Sequence, residues 1–289
     1  MVYDKKIGAL IVLYNPDRQS IAASLEALQP QVDVVCLIDN SKTNHSNWFA
    51  SLPDTIYIPL GENTGIAKAQ NVGINKLADS NCTHILFGDQ DSCAKSDLVE
   101  TLSSALDILK ANGETVATVG SVAINSRTGK RYPLRSILKR HLEYENLSID
   151  EVDYVRCSMS LTPIEAIKQN GLMDEELFID GVDSEWCWRA FVKYGLRSYL
   201  VKNAIIYHNL GIADRHIINK EITIPATKRL YYQYRNYLIL LRRNYVPMRW
   251  KIKNGVKYIL KFPYYGMFCR PRLSNIRNMA TGFVDGLKA

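Results

Sequence analysis

No stretch of the 289-residue sequence is apolar for long enough to cross a bilayer, so a membrane-spanning protein is not expected. The N-terminal run "IGALIVL" (residues 7–13) ends just before Asn15-Pro16, which is also too short for an export core and predicts a cytoplasmic chain. The six cysteines (36, 82, 93, 157, 187 and 269) form no CxxC pair and show no zinc-ligand spacing. In a chain without an export signal they read as reduced thiols. The fingerprints GxGxxG and GxxxxGK[ST] are both missing, which argues against a nicotinamide dehydrogenase and a P-loop ATPase. Low-complexity tracts and internal repeats are absent as well. Acidic residues all but vanish near the end. From Lys228 onward there are fourteen Lys/Arg and one acid, Asp285, giving +13, whereas the first 227 residues carry 22 basic and 28 acidic side chains, giving −6.

What remains is the composition of a folded protein, 47% apolar and 22% charged. Its length allows one large domain or one domain with an appendage. Through residue 125 the pattern alternates between two periods. Residues 7–13, "VDVVCLID" (32–39), "TIYIPL" (55–60), "HILFGD" (84–89) and "TVATVGSVAIN" (115–125) read as strands. Between them, Ile21, Leu25 and Leu28, then Ile66, Ala69, Gly73 and Leu77, then Leu98, Leu102, Ala105 and Leu109 fall at helical spacing. Such alternation predicts an α/β fold with a mainly parallel central sheet and helices on both faces, Rossmann-like in its nucleotide-binding half. Residues 126–150 are polar and basic and are expected to be a loop. Residues 152–163 read as a strand, 163–171 as a short helix, and 178–195 as an acidic turn feeding a helix that stops at Gly195. "LRSYLV" and "AIIYHNLG" are strand-like. The segment 228–243 reads as a helix packing Leu230, Tyr234, Tyr237, Leu238 and Leu241.

In sheets of this kind ligands bind beyond the carboxyl ends of the strands. Those ends carry Tyr14-Asn15, Asp39-Asn40-Ser41, Gly61-Glu62-Asn63 and Asp89-Gln90-Asp91, a single polar rim. Residues i and i+2 of an extended segment point to one side, so Asp89 and Asp91 would repel unless a cation or several donors lay between them. The plainer alternative is a turn after a strand, where Asp and Ser are ordinary. A second set of acids, Asp180, Asp183 and Glu185, surrounds Gly181. Glu185 is expected to pair with Arg189 four residues on, as an ion pair on the helix surface. Asp183 suits a helix cap, or a base facing a pocket. An Asp pair holding a divalent ion, with a separate carboxylate base, suits transfer from a nucleotide diphosphate. Oxygen ligands indicate Mg2+ or Mn2+.

The series "VLYNP", "LIDNS", "ENTGIAKAQNVGI", "LFGDQDS", "LFIDGVDSEWCWRA", "YHNLG" and "YYQYRN", in that order over about residues 7–240, resembles an inverting family 2 glycosyltransferase. In particular it resembles the bacterial rhamnosyltransferases of O-antigen and related polysaccharide assembly. The resemblance implies a GT-A fold, dTDP-β-L-rhamnose as donor and a lipid-linked glycan as acceptor. It implies that Tyr14, Asn15, Asp39, Asn40, Asn63, Gly65, Ala67 and Asn71 bind the nucleotide. Asp89 and Asp91 become the metal pair, His208 a metal or diphosphate ligand, Arg235 a diphosphate contact and Asp183 the base. Gly88 stands where an acidic residue is often found, so Asp89 would carry more of the nucleotide contact. Another nucleotide sugar (a UDP-hexose or galactofuranose), or a non-catalytic glycan- or lipid-binding protein of the same fold, are the alternatives. The expected organisation is a glycosyltransferase domain over 1–225, divided into a nucleotide-sugar half (1–125) and an acceptor half (126–225). A basic helical region follows over 226–289. Its apolar patches interleaved with Lys and Arg suit an anionic membrane surface, in preference to nucleic acid.

Overall fold

The structure, a computed structural model, describes the chain apart from residues 1–4, 126–127, 134–135, 145, 209–214, 218–219 and 223–226; side chains from 208 to 226 lie outside the described residues. The N-terminal half follows the expected alternation: β1 (Ile7–Leu13), α1 (Arg18–Leu28), β2 (Val34–Asp39), α2 (Ser46–Phe49), β3 (Thr55–Pro59), α3 (Ile66–Asp79) and β4 (His84–Gly88). These four strands run parallel in the order β3-β2-β1-β4. Leu13 pairs with Asp39, and Asp39 with Pro59, so the three carboxyl ends lie level along one edge. β1, β2 and β4 are buried on both faces, whereas β3, at the sheet edge, is half-buried. Ile11, Leu37 and Leu86 pack with α1 residues Ile21 and Leu25, while their neighbours Leu10, Ile38 and Ile85 pack with α3 residues Ile74 and Leu77. That split is the two-residue period of a strand serving two cores.

The second half supplies β5 (Ser92–Ala94), α4 (Leu98–Ala111), β6 (Val116–Asn125), β7 (Leu138–Tyr144), β8 (Leu147–Val152), β9 (Ser160–Pro163), α5 (Ile164–Asn170), α6 (Val182–Tyr194) and β10 (Arg197–His208). The sheet continues β4-β9-β6-β10-β8-β7, with β5 also on β10. Only β6 and β10 pair in parallel here, so the whole is a mixed sheet with its parallel part at the rim end. Residues 126–150, expected to be a loop, contain the β7–β8 hairpin. β7 is the exposed edge, and of its polar "LKRHLEY" only Leu142 and Tyr144 pack, partly buried, against the core. The single strand expected over 152–163 is two, because β8 ends at Val152 and β9 begins at Ser160. Conversely, the two strand-like segments after Gly195 are one strand, β10, with an irregularity between Leu200 and Ile205.

After a two-stranded ribbon, β11 (Arg215–Ile217) and β12 (Lys220–Ile222), come α7 (Thr227–Arg242), α8 (Met248–Phe268) and α9 (Arg272–Lys288). Leu230, Tyr234, Tyr265, Cys269 and Met279 form a small core among these helices. A Cβ on Gly282 would stand 2.2 Å from the Tyr231 carbonyl, so α7 and α9 cross with their backbones nearly touching. Leu241, expected on the packed face of α7, is exposed; Ile239 and Leu240 are buried instead and join the main core. No helix among the described residues is long and apolar enough to cross a membrane. All six cysteines are free.

Candidate active site

The acidic turn sits where β4 leaves the sheet. Residues 90 and 91 form a turn, not extended chain, so strand geometry does not set where the carboxylates point. Asp91 is exposed and Asp89 half-buried. The glutamine between them is an anchor. The Gln90 side-chain oxygen accepts from the Tyr14 N–H at 2.8 Å, and its amide nitrogen donates to the Tyr14 carbonyl at 3.4 Å. From below, the buried Ser24 hydroxyl of α1 donates to the carbonyls of Ser92 (2.9 Å) and Asp89 (3.3 Å). Gln90 and Ser24 therefore anchor the turn from two sides. β5 then pairs antiparallel with the end of β10, Ser92 opposite His208, which brings the backbone of His208 beside the acidic turn. Its side chain lies outside the described residues. Among the described residues no three His, Cys, Asp or Glu side chains gather into a metal cluster. Two carboxylates on a firmly held, solvent-facing turn fit a hard divalent cation whose other ligands come from substrate or water, as Mg2+ allows.

The neighbouring strand ends make a cleft of about 250 Å³ lined by Ser41, Lys42, Asn44, Leu60 and Gly61, among others. Asp39 lies behind this cleft, fully buried. Its carboxylate accepts from the Tyr57 hydroxyl (2.6 Å) and the Ser41 N–H (3.0 Å) and contacts His45 Nδ1 at 2.6 Å. Burial pushes its pKa up, but the bonds from Tyr57, Ser41 and His45 together outweigh it and hold the carboxyl below its ordinary range. Asp39 thus fixes the loop that lines the cleft. Ser41 in turn accepts from the Asn15 N–H at 2.8 Å, and Asn15 takes a left-handed φ of 44°. Tyr14 is half exposed. Asn40 bridges to the third strand end: its amide donates to Asn63 Oδ1 (3.1 Å) and its oxygen accepts from the Thr64 N–H (2.7 Å). Tyr14, Asn15, Asn40, Asn63 and Gly65 are thereby brought together along the rim. Ala67 and Asn71 are buried instead; Asn71 exchanges bonds with the Met173 backbone at 3.0 and 2.9 Å.

The Met173 contact leads into the loop that carries Asp183. Phe178, Asp180 and Gly181 all have positive φ (59°, 63° and 98°), so this loop needs external support. Two elements supply it. At the start of α3, the Ile66 N–H donates to the Phe178 carbonyl at 2.7 Å, and Gly65 leaves room for Phe178, whose ring a Cβ there would approach to 2.6 Å. On the other side stands α7. Tyr232 stacks on Phe178 with centroids 4.5 Å apart, and the buried Asn236 amide donates to the carbonyls of Leu177, Ile179 and Asp180 at 2.6–3.0 Å. Arg229 forms a two-pronged ion pair with Asp180 at 2.8 and 2.7 Å. Arg235, expected at the diphosphate, donates to the Glu176 carbonyl and lies 5.1 Å from the Tyr232 ring centroid. Sequence reasoning missed Tyr232, Asn236 and Arg229 as supports, although "YYQYRN" was conspicuous; an amide's partners across 56 residues leave no local signal.

Asp183 occupies the first turn of α6 and lines a narrow cleft with Cys157, Thr118, Met173 and Trp186. Burial raises its pKa above the ordinary carboxylate value, against opposing hydrogen bonds from the Cys157 thiol and backbone and the Arg156 charge. A carboxylate with a raised pKa in a cleft has the properties of a general base. Glu185 is different. It is 1% exposed, accepts from Arg189 Nε at 2.7 Å as expected, and also accepts from the Tyr245 hydroxyl at 2.7 Å. The ion pair is buried in the protein and not, as its spacing suggested, a surface pair.

The chain is similar to known proteins. The model of the family described as glycosyl transferase family 2 matches residues 9–168. The dTDP-rhamnosyl transferase RfbF of Shigella flexneri is 33% identical over 261 residues, covering 88% of this chain and 86% of that one. Among solved structures, GalNAc-T7 with UDP, GalNAc and Mn2+ superposes with a TM-score of 0.59 at 13% identity, over 93% of this chain and 58% of that one. S. aureus TarS 1–349 in complex with UDP-GlcNAc gives 0.57 at 14% identity, over 98% of this chain and 81% of the other. At such identities the two structures speak for the fold, which is GT-A-like. The family match and the identity to RfbF speak for more: this chain is a glycosyltransferase and belongs to glycosyl transferase family 2.

Proposed function

We propose that the protein transfers L-rhamnose from dTDP-β-L-rhamnose to a hydroxyl of a lipid-linked glycan, with inversion, in the synthesis of a bacterial surface polysaccharide such as O-antigen. The observation that carries this reading is the 33% identity to a dTDP-rhamnosyl transferase across 88% of the chain, with the acidic turn and the Asp183 cleft inside the shared span. The nucleotide lies along the rim formed by Tyr14, Asn15, Asn40 and Asn63, in the half spanning 1–125. The acceptor enters over 126–225, and 226–289 completes the protein on the inner face of the cell membrane.

Asp183 accepts the proton as the acceptor oxygen attacks the anomeric carbon. That carbon's bond to the diphosphate oxygen breaks, its electron pair leaves with dTDP, and an α-L-rhamnoside remains. General-base catalysis of this kind contributes roughly 10²–10⁴-fold. Asp89 and Asp91, with His208, would hold Mg2+ or Mn2+, which when bound neutralises charge on the departing diphosphate. GalNAc-T7, solved with Mn2+, supports a divalent ion in this fold. The second reading, a UDP-sugar donor, draws on the UDP-GlcNAc complex of TarS.

The test is to incubate the purified protein with a panel of nucleotide sugars and Mg2+ or Mn2+ and to follow slow donor hydrolysis. Preferential turnover of dTDP-rhamnose is expected. Preference for a UDP-hexose would overturn the rhamnose assignment.

A further inference from the structure

The outward face of α8 is apolar, long and uncovered. Met248, Ile252, Val256, Ile259 and Leu260 recur at helical spacing, and Ile252, Ile259 and Leu260 are 62%, 73% and 66% exposed. Met267 continues the stripe near the C-terminal end. An ordinary surface helix exposes such residues singly, not as a row of five. The opposite face of α8 is spoken for: Trp250 packs against Trp188 (5.2 Å), Tyr258 against Tyr234 (5.1 Å), and Tyr265 is buried. The stripe is therefore held outward by the rest of the fold. Arg249, Lys253 and Lys257 recur every four residues along one flank and are exposed. α8 carries no Asp or Glu at all. On α9, Leu273, Phe283, Val284 and Leu287 are also exposed, with Arg272, Arg277 and Lys288 beside them.

We infer that α8 is an interfacial helix, lying flat on an anionic lipid bilayer with Met248, Ile252, Val256, Ile259 and Leu260 in the acyl boundary and Arg249, Lys253 and Lys257 at the headgroups. Three observations select this occupant. The helix cannot span a bilayer, so its apolar face can meet lipid only from the side. The basic row adjoins the apolar stripe, where long side chains reach phosphate while their stems remain in apolar surroundings. A second copy of the chain docked through this face would set two basic rows together, with Asp285 the only acid from 228 to the end, and like charges across an interface are costly. This surface is independent of the donor assignment, since vesicle binding needs no sugar nucleotide.

Deleting residues 245–289 would remove α9, which packs on α7, and α7 supports the Asp183 loop through Asn236 and Tyr232. The 289-residue chain with point substitutions is the proper probe. Binding is measured by co-sedimentation with phosphatidylcholine vesicles, with and without about 30% phosphatidylglycerol, the anionic fraction supplying the surface potential. The protein is expected on anionic vesicles, with weaker retention on neutral ones. Arg249→Gln, Lys253→Gln and Lys257→Gln should each lower the partition coefficient about fivefold, the equivalent of one surface charge. Ile259→Glu with Leu260→Glu should abolish retention while circular dichroism and donor hydrolysis stay as in the parent. Equal binding of parent and Glu variant, or no preference for anionic lipid, would overturn the inference. So would a parent that is a dimer in sedimentation equilibrium and a Glu variant that is a monomer, because the stripe would then belong to a second copy.

Discussion

Asp183 and Glu185 lie two residues apart on α6, and their substitution should produce opposite effects. Asp183→Asn keeps the size of the side chain but removes the proton acceptor, so transfer should fall by at least about 10²-fold. Stability should move the other way. The folded-state pKa of Asp183 is raised, so folding favours its neutral form. That contribution is complete below the ordinary carboxylate pKa and is lost as pH rises through the raised value. At neutral pH the ionised carboxylate therefore costs stability, and the neutral amide should melt at or above the parent temperature. Glu185→Gln should do the reverse. It takes a charge from a buried site where Arg189 and Tyr245 both donate, and each charged hydrogen bond is worth about 1.5–3 kcal/mol. Arg189 keeps the carbonyls of Asn170 and Leu172, so its guanidinium is not abandoned, and a net loss near that range is expected. At roughly 2–4 °C per kcal/mol for chains of this order, melting should fall by about 3–12 °C. Scanning calorimetry, donor affinity and acceptor transfer on both variants decide the matter. An active, destabilised Asp183→Asn beside an inactive, stable Glu185→Gln would refute the base assignment.

Asp91→Asn should leave folding intact, because Gln90 and Ser24 hold the turn, yet turnover should collapse at every concentration of Mg2+ or Mn2+. Near-parental activity across a metal titration would show that the acids merely shape a turn. Gly65→Ala should cost about 1–3 kcal/mol in backbone strain at a φ of 88°, and it should also lower turnover by pushing on Phe178. A variant with parental stability and rate would mean that the Phe178 contact does not position the base. The pH–rate profile should show an acid limb above the ordinary carboxylate range, since Asp183 must be ionised to accept a proton and its pKa is raised. An acid limb at or below pH 4 would remove that link.

The sequence by itself determined the first half of the fold. Continuous apolar runs such as 7–13 and helical spacings such as Leu98–Leu109 are local patterns, and the β1–β4 elements followed from them. It also placed polar residues at each strand end, because the chain direction of a parallel sheet fixes which end faces ligand. The β7–β8 hairpin escaped because its edge strand buries little, with only Leu142 and Tyr144 packed against the core among charged neighbours. Only the tertiary structure decided what the rim residues do. Asp39 is the buried keystone of the Ser41–His45 loop. Glu185 formed the expected ion pair with Arg189, but burial and the Tyr245 hydroxyl turned a minor surface pair into an internal one. Gln90 explained the spacing of its two neighbouring acids only once Tyr14, 76 positions earlier, was beside it. The basic tail was visible as charge, yet α7 proved to brace the loop before Asp183 while α8 turns its apolar row outward. Charge and periodicity are properties of neighbours along the chain; burial and hydrogen-bond partners are properties of neighbours in space, and only the packed fold supplies those.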